Sequence, residues 1–204
     1  MLEFDTPHGV ARAHVHPVDA PRAAVVLGHG AGGGVESPDL VGATRAANEA
    51  GLSVALLEQP YRVAGRRSPA PARQLDQAWL AVVPQLFPGL PLIVGGRSAG
   101  ARVACRTADA TDAKAALCLA FPVHPPGKPE KSRLSELDAV TVPTLVVQGE
   151  RDPFGIPPES RNRKVVLIPG THSLRSSSAV EAVVAEWLSS SPWDDTRGRS
   201  GRHP

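Results

Sequence analysis

Leu92-Ile93-Val94-Gly95-Gly96-Arg97-Ser98-Ala99-Gly100-Ala101-Arg102-Val103 reads as an apolar strand that runs into Gly-x-Ser-x-Gly and on into a helix. A serine hydroxyl is a poor nucleophile unless it is exposed, held still and set beside a base. A sharp strand-to-helix turn does the positioning, with Ser98 at its apex in a strained backbone conformation. Such a turn crowds the residues two before and two after the serine, so Gly96 and Gly100 avoid Cβ clashes there. Ala99 then opens a helix, whose first free N–H groups can meet a developing oxyanion.

Two segments further along supply partners. Residues 143–149, Pro-Thr-Leu-Val-Val-Gln-Gly, read as a buried strand, with Glu150-Arg151-Asp152-Pro153 at its carboxyl end. Residues 165–168, Val-Val-Leu-Ile, read as another, followed by Pro169-Gly170-Thr171-His172-Ser173. The chain thus offers Ser98, Asp152 and His172 in that order, each just past a strand, which is the order and context of an α/β-hydrolase triad. Loops at the carboxyl ends of parallel strands converge on one crevice, where such residues can meet. Upstream, a strand over 22–27 leads into Gly28-His29-Gly30-Ala31-Gly32-Gly33-Gly34. By position, the N–H groups of Ala31 and Ala99 are the expected oxyanion hole. A phosphate-binding loop would need Gly-Lys-Ser/Thr after the glycines, and Val35-Glu36-Ser37 does not provide it. His29 reads as a structural residue bonding the backbone of the Gly-rich loop.

On these motifs the sequence resembles the α/β-hydrolases over residues 8–190. It is more closely similar to a small hydrolase family that includes testis-expressed protein thirty and the hydrolase-like domain of the third regulatory subunit of the NSL complex. The marks of that resemblance are Gly-Ala-Gly at 30–32, Gly65-Arg66-Arg67-Ser68-Pro69, Gly95-Gly96-Arg97-Ser98, the Phe-Pro-Val-His-Pro-Pro-Gly-Lys-Pro run at 121–129, and Gln148-Gly149-Glu150-Arg151-Asp152-Pro153-Phe154-Gly155. The layout is also similar to that of dienelactone hydrolases, which usually carry cysteine as the nucleophile where this chain has Ser98.

The 204 residues fit one domain with a real core. Alternating strand and helix signals imply an α/β-hydrolase fold: a mostly parallel sheet with helices on both faces, minimal and without a cap domain. Only residues 122–142 are available between the sixth and seventh strands, too few for a separate lid. Residues 1–190 are read as the domain, with residues 10–16 as a leading antiparallel strand. Residues 191–204, turn-rich and charged, are read as a disordered tail. Ser37-Pro38 starts a helix. A second opens at Ser68-Pro69 and places Leu75, Trp79, Val82, Val83 and Leu86 on one face, with Pro84 ending it early. The last begins at Ser178, with Glu181 completing a capping box, and turns Val180, Val183, Val184 and Trp187 to the sheet.

Cys105 and Cys118, the only cysteines, are read as reduced core thiols. No close Cys/His spacing suggests a metal, and the expected chemistry needs no cofactor. A net charge of +2 without a clustered basic face argues against nucleic acid. No run reaches membrane-spanning length, and the acidic Met1-Leu2-Glu3-Phe4-Asp5 is no signal peptide, so a cytoplasmic location is expected. His124, after the sixth strand, and Arg66 and Arg67, after the fourth, are candidate substrate contacts at the crevice rim.

Two function classes remain. One is a serine hydrolase acting on a small ester or thioester, with a preference for short, soluble acyl groups, anionic ones among them. The other is a non-catalytic interaction module that kept the fold. A scaffold has no physical need of all three triad residues, which favours the enzyme.

Overall fold

The computed structural model describes residues 1–194. Short aliphatic runs become eight strands: β1 (Leu2–Thr6), β2 (Gly9–His16), β3 (Ala23–Gly28), β4 (Leu52–Glu58), β5 (Leu92–Arg97), β6 (Ala115–Leu119), β7 (Thr144–Gly149) and β8 (Arg163–Ile168). They form one sheet in the order β1-β2-β4-β3-β5-β6-β7-β8. β1–β2 and β2–β4 are antiparallel, and every other pairing is parallel. The chain leaves β3 for β4 on one side and returns to β5 on the other. That reversal opens a crevice beyond the carboxyl ends of β3 and β5.

The helices are α1 (Pro38–Glu49), α2 (Pro60–Val63), α3 (Ala72–Val82), α4 (Ala99–Thr107), α5 (Leu134–Asp138) and α6 (Ser177–Ser189). Successive strand residues point to opposite faces, so each central strand feeds two cores. Val25, Leu27, Leu52, Val54 and Leu56 pack with α1 and α6. Val26, Ala55 and Leu57 pack on the other face with Trp79 of α3 and Val103 of α4. α1 and α6 meet closely enough that a Cβ on Gly42 would overlap the Ser177 carbonyl. Between β6 and β7 the only regular element is the five-residue α5.

Several elements differ from the sequence reading. β1 was not expected; it is a short edge strand whose Glu3 and Asp5 interrupt any apolar signal. The short α2 was not expected, and the helix read as opening at Ser68 is α3, which starts at Ala72; Pro84 sits in the 3₁₀ turn Val83–Gln85 that ends it. The last helix is capped by Ser176, whose hydroxyl accepts from the Ala179 N–H at 3.2 Å, so no capping box with Glu181 forms. Residues beyond 190 begin inside the packed body. Ser191 and Trp193 are buried, and the Arg22 guanidinium lies 5.7 Å from the Trp193 ring centroid. The rest of the expected tail, 195–204, lies outside the described residues. Among those described, no helix is long and apolar enough to cross a membrane.

Candidate active site

β5 ends in a turn at Ser98, which has φ 51° and ψ −106°, a backbone state that non-glycine residues avoid. Packing enforces it. A Cβ on Gly100 would overlap the Gly28 carbonyl, and one on Gly96 would overlap both Gly28 and Gly100. The start of α4 can therefore sit directly on the end of β3. The Ser98 N–H is tied to the Leu119 carbonyl at 2.9 Å, fixing the turn to β6.

The loop after β8 brings His172 to Ser98, with Nε2 2.9 Å from Oγ. The loop after β7 brings Asp152 to the far side of the same ring, with Oδ2 2.8 Å from Nδ1. A carboxylate accepts only, so Nδ1 carries the proton and Nε2 is left to accept from the serine hydroxyl. The Asp152 side chain is fully buried, and both of its oxygens accept hydrogen bonds. Oδ1 accepts from the Phe154 N–H at 2.8 Å, and Oδ2 also accepts from Gln148 Nε2 at 2.8 Å. The two N–H groups of Gln148 Nε2 are shared with the carbonyls of Phe121 at 3.1 Å and Gly155 at 2.9 Å, so a strand residue holds both flanking loops. The Phe154 ring stacks on the imidazole, with centroids 4.0 Å apart and planes at 28°.

Arg97 braces the His172 loop. Its Nη2 donates to the His172 carbonyl at 3.1 Å, and Nε lies 2.8 Å from Oδ2 of the fully buried Asp39. The Nε–H points off that line, so the contact is an ion pair rather than an aligned hydrogen bond. Burial pushes the Asp39 carboxyl above its ordinary value, against the opposing pull of Ser37 and Arg97. The Gly-rich loop is held by two further bonds. His29 Nδ1–H donates to the Gly30 carbonyl at 2.8 Å while Nε2 accepts the Gln59 N–H at 3.0 Å. Burial lowers the pKa of His29, which keeps the ring neutral in that bridge. The Tyr61 hydroxyl, pushed up to about 12 by burial, donates to the Ala31 carbonyl at 2.8 Å.

Ser98, His172, Ala31 and Ala99 line one cleft of about 420 Å³. Two sets of expected contacts lie elsewhere. Arg66 and Arg67 are exposed in a neighbouring depression, beyond Pro69 and Ala70. His124 turns away from the cleft: Nδ1–H donates to the Pro125 carbonyl at 2.9 Å and the ring packs on Gly155, bracing the turn that carries Asp152. The cleft is lined instead by Phe154 and by Arg97, Arg102, Arg106 and Arg133. Arg102 and Arg106 follow Ser98 at helical spacing of four, a signal present in the sequence. Gln148 and Arg133 carry no such local signal. Among the described residues, no three His, Cys, Asp or Glu side chains gather as a metal site.

The family profile described as "Alpha/beta hydrolase domain" matches residues 21–181. The chain belongs to the alpha/beta hydrolase family. Among solved structures, an alpha-beta serine hydrolase homologue from Coxiella burnetii is similar at a TM-score of 0.75 and 16% identity, covering 92% of this chain and 96% of its own. A serine hydrolase without lid from Xanthomonas campestris has a TM-score of 0.72 at 18% identity, covering 100% and 95%. A dienelactone hydrolase from Anabaena variabilis has 0.69 at 17%, covering 93% and 95%. No curated protein sequence matches. At such identities the structural likeness establishes the alpha/beta hydrolase fold.

Proposed function

We propose that this alpha/beta hydrolase is a serine hydrolase that cleaves small esters or thioesters through an acyl-enzyme on Ser98. The observation that carries the reading is the unbroken chain from Ser98 Oγ through His172 to Asp152, at 2.9 and 2.8 Å. His172 Nε2 takes the hydroxyl proton as Oγ attacks the carbonyl, and Asp152 holds the tautomer and stabilises the imidazolium. The tetrahedral oxyanion is received by the N–H groups of Ala31 and Ala99. The imidazolium then protonates the leaving alcohol or thiol, and a water activated by the same ring releases the acid. The short, helix-poor connection between β6 and β7 supports a lidless site. The marks shared with the testis-expressed-protein-thirty branch support membership of that small subgroup. The free thiols of Cys105 and Cys118, 3.5 Å apart in the core, fit a reducing, cytoplasmic setting.

The test is labelling of the folded protein with a fluorophosphonate probe, followed by mapping of the adduct. Modification at Ser98, absent in Ser98→Ala and accompanied by loss of ester hydrolysis, is the expected result. Folded protein that does not label, and turns over no ester or thioester, would instead be a non-catalytic interaction module.

A further inference from the structure

We infer that the cleft receives an ester carrying a carboxylate, and that Arg133 is the residue that binds that carboxylate. The inference rests on the hydrolase reading of Ser98 and narrows its substrate class.

Four guanidinium groups line the cleft, and three are already neutralised. Arg97 faces Asp39 at 2.8 Å. Arg102 grips both oxygens of Glu136, at 2.6 and 2.8 Å. Arg106 grips both oxygens of Asp76, at 2.6 and 2.9 Å, and reaches Glu136 at 3.1 Å. Asp76 and Glu136 are thus already engaged by Arg102 and Arg106. Among the described residues, Arg133 has no ion-pair partner. The four guanidinium groups that line the cleft thus meet three carboxylates, while the fourth carboxylate nearby, Asp152, is engaged by His172.

Arg133 is not a loose surface cation. It is partly buried, its N–H is fixed to the Val123 carbonyl at 2.7 Å, and its own carbonyl receives the Glu136 N–H at 3.0 Å. Burial and the nearby charge of Arg102 both work against its protonated form, outweighing the pull of Glu136. A cation held with that deficit is a receptor for an anion. A guanidinium is shaped to take a carboxylate through two parallel N–H bonds, and the partly shielded setting strengthens them. Arg66 and Arg67, exposed beside Pro69 and among the described residues without ion-pair partners, add positive potential next to the cleft and favour the approach of anions. A volume of about 420 Å³ suits a small molecule that places a carbonyl on Ser98 and a carboxylate on Arg133.

The experiment compares kcat/KM for matched pairs of esters. In one series the carboxylate is on the acyl side: monoethyl succinate, glutarate and adipate against ethyl butyrate, valerate and hexanoate. In the other it is on the alcohol side: acetoxyacetate and 3-acetoxypropionate against propyl and butyl acetate. A charge-assisted bidentate contact predicts a preference of about ten- to a hundredfold for the charged member in at least one series. Arg133→Gln should lower that ratio at least tenfold, mainly through KM, and Arg133→Lys should restore part of it. In the parent the preference should shrink as sodium chloride is raised, a measurement that does not depend on the variants folding. Turnover of neutral esters with no preference in either series, or a ratio unchanged in Arg133→Gln, overturns the carboxylate site and leaves the hydrolase reading standing. If the parent cleaves no ester, calorimetry of Ser98→Ala with monoethyl glutarate and with acetoxyacetate decides the matter separately. Saturable binding of either, weakened tenfold by Arg133→Gln, upholds the anion site while the hydrolase reading falls; no binding of either overturns the site.

Discussion

Arg97→Met tests whether the ion pair beneath the site holds it in place. Methionine keeps much of the apolar stem and deletes the charge, stranding the Asp39 carboxylate, which is fully buried beside a side chain only 17% exposed. That carboxylate has two responses. Left ionised and unpaired, it costs about 3–5 kcal/mol. Taking a proton instead costs about 1.36 kcal/mol for each pH unit above a solution pKa of about 3.9, or about 4 kcal/mol at pH 7. Protonation therefore sets a ceiling that moves with pH: about 4 kcal/mol at pH 7 and about 1.5 kcal/mol at pH 5. The sign follows from a carboxyl whose folded-state pKa is raised, since its penalty is absent below the unfolded value and grows as pH rises. Urea unfolding at pH 5, 6 and 7 should show the variant losing progressively more stability against the parent. Asp39→Asn in the same background should recover most of the loss at pH 7. The freed His172 carbonyl should also let the imidazole drift from Ser98, lowering kcat by about tenfold. An equal stability loss at pH 5 and pH 7, or no recovery from Asp39→Asn, would refute the reasoning.

Three further outcomes follow from the same geometry. Gln148→Leu removes the donor to Asp152 and two carbonyls, so kcat should fall by about ten- to a hundredfold with KM little changed; kcat within twofold of the parent would show that Asp152 needs no such bracing. Burial alone would push the Glu136 carboxyl up, but Arg102 and Arg106 outweigh it and hold it below the usual range. Its stabilising contribution is thus full above the unfolded pKa and lost as pH falls through the folded one, so the stability lead of the parent over Glu136→Gln should be larger at pH 6 than at pH 3. An equal lead at both pH values, measured by urea midpoints, would contradict this. Across p-nitrophenyl esters from acetate to palmitate, kcat/KM should peak at short chains, because the cleft offers about 420 Å³ and a charged lining; a peak at long chains would require an apolar tunnel.

What could be read from the sequence was whatever depends on neighbours along the chain. Ser98, Asp152 and His172 each follow an apolar strand, and the parallel order of β5, β7 and β8 turns that local fact into convergence. Gly96 and Gly100 were legible for the same reason, since the turn itself demands them. The start of α6 was less so, because Ser176, Ser177 and Ser178 are chemically equivalent caps and only the packing of α6 on α1 selects among them. His124 follows β6 as its sequence position implies, but its ring direction, away from the cleft, depends on Gly155, which leaves room for it from another loop. The charge network was invisible. Arg102 and Glu136 are 34 residues apart, and no local pattern says which arginine is left over once the carboxylates are shared. Trp193 looked like part of a loose tail because its partner, Arg22, comes from the opposite end of the chain.

These bonds also bear on how a site without a lid can work. A cap excludes water and so strengthens every electrostatic contact inside. Here the connection between β6 and β7 supplies only α5, so the cleft stays in contact with solvent, and in the proposed reaction the donors to an oxyanion would be partly screened. Catalysis under those conditions depends on donors and base being in place beforehand, since preorganised dipoles need no rearrangement as charge develops. The buried polar side chains serve that end. Gln148 anchors the Asp152 turn to β7, Arg97 anchors the His172 loop to Asp39, and Tyr61 and His29 anchor the Gly-rich loop beside Gln59. Gln148, His29 and Tyr61 are buried, where water competes least for their hydrogen bonds. Rigidity supplied by these bonds thus takes the place of shielding by a cap, and it leaves the mouth open to solvent.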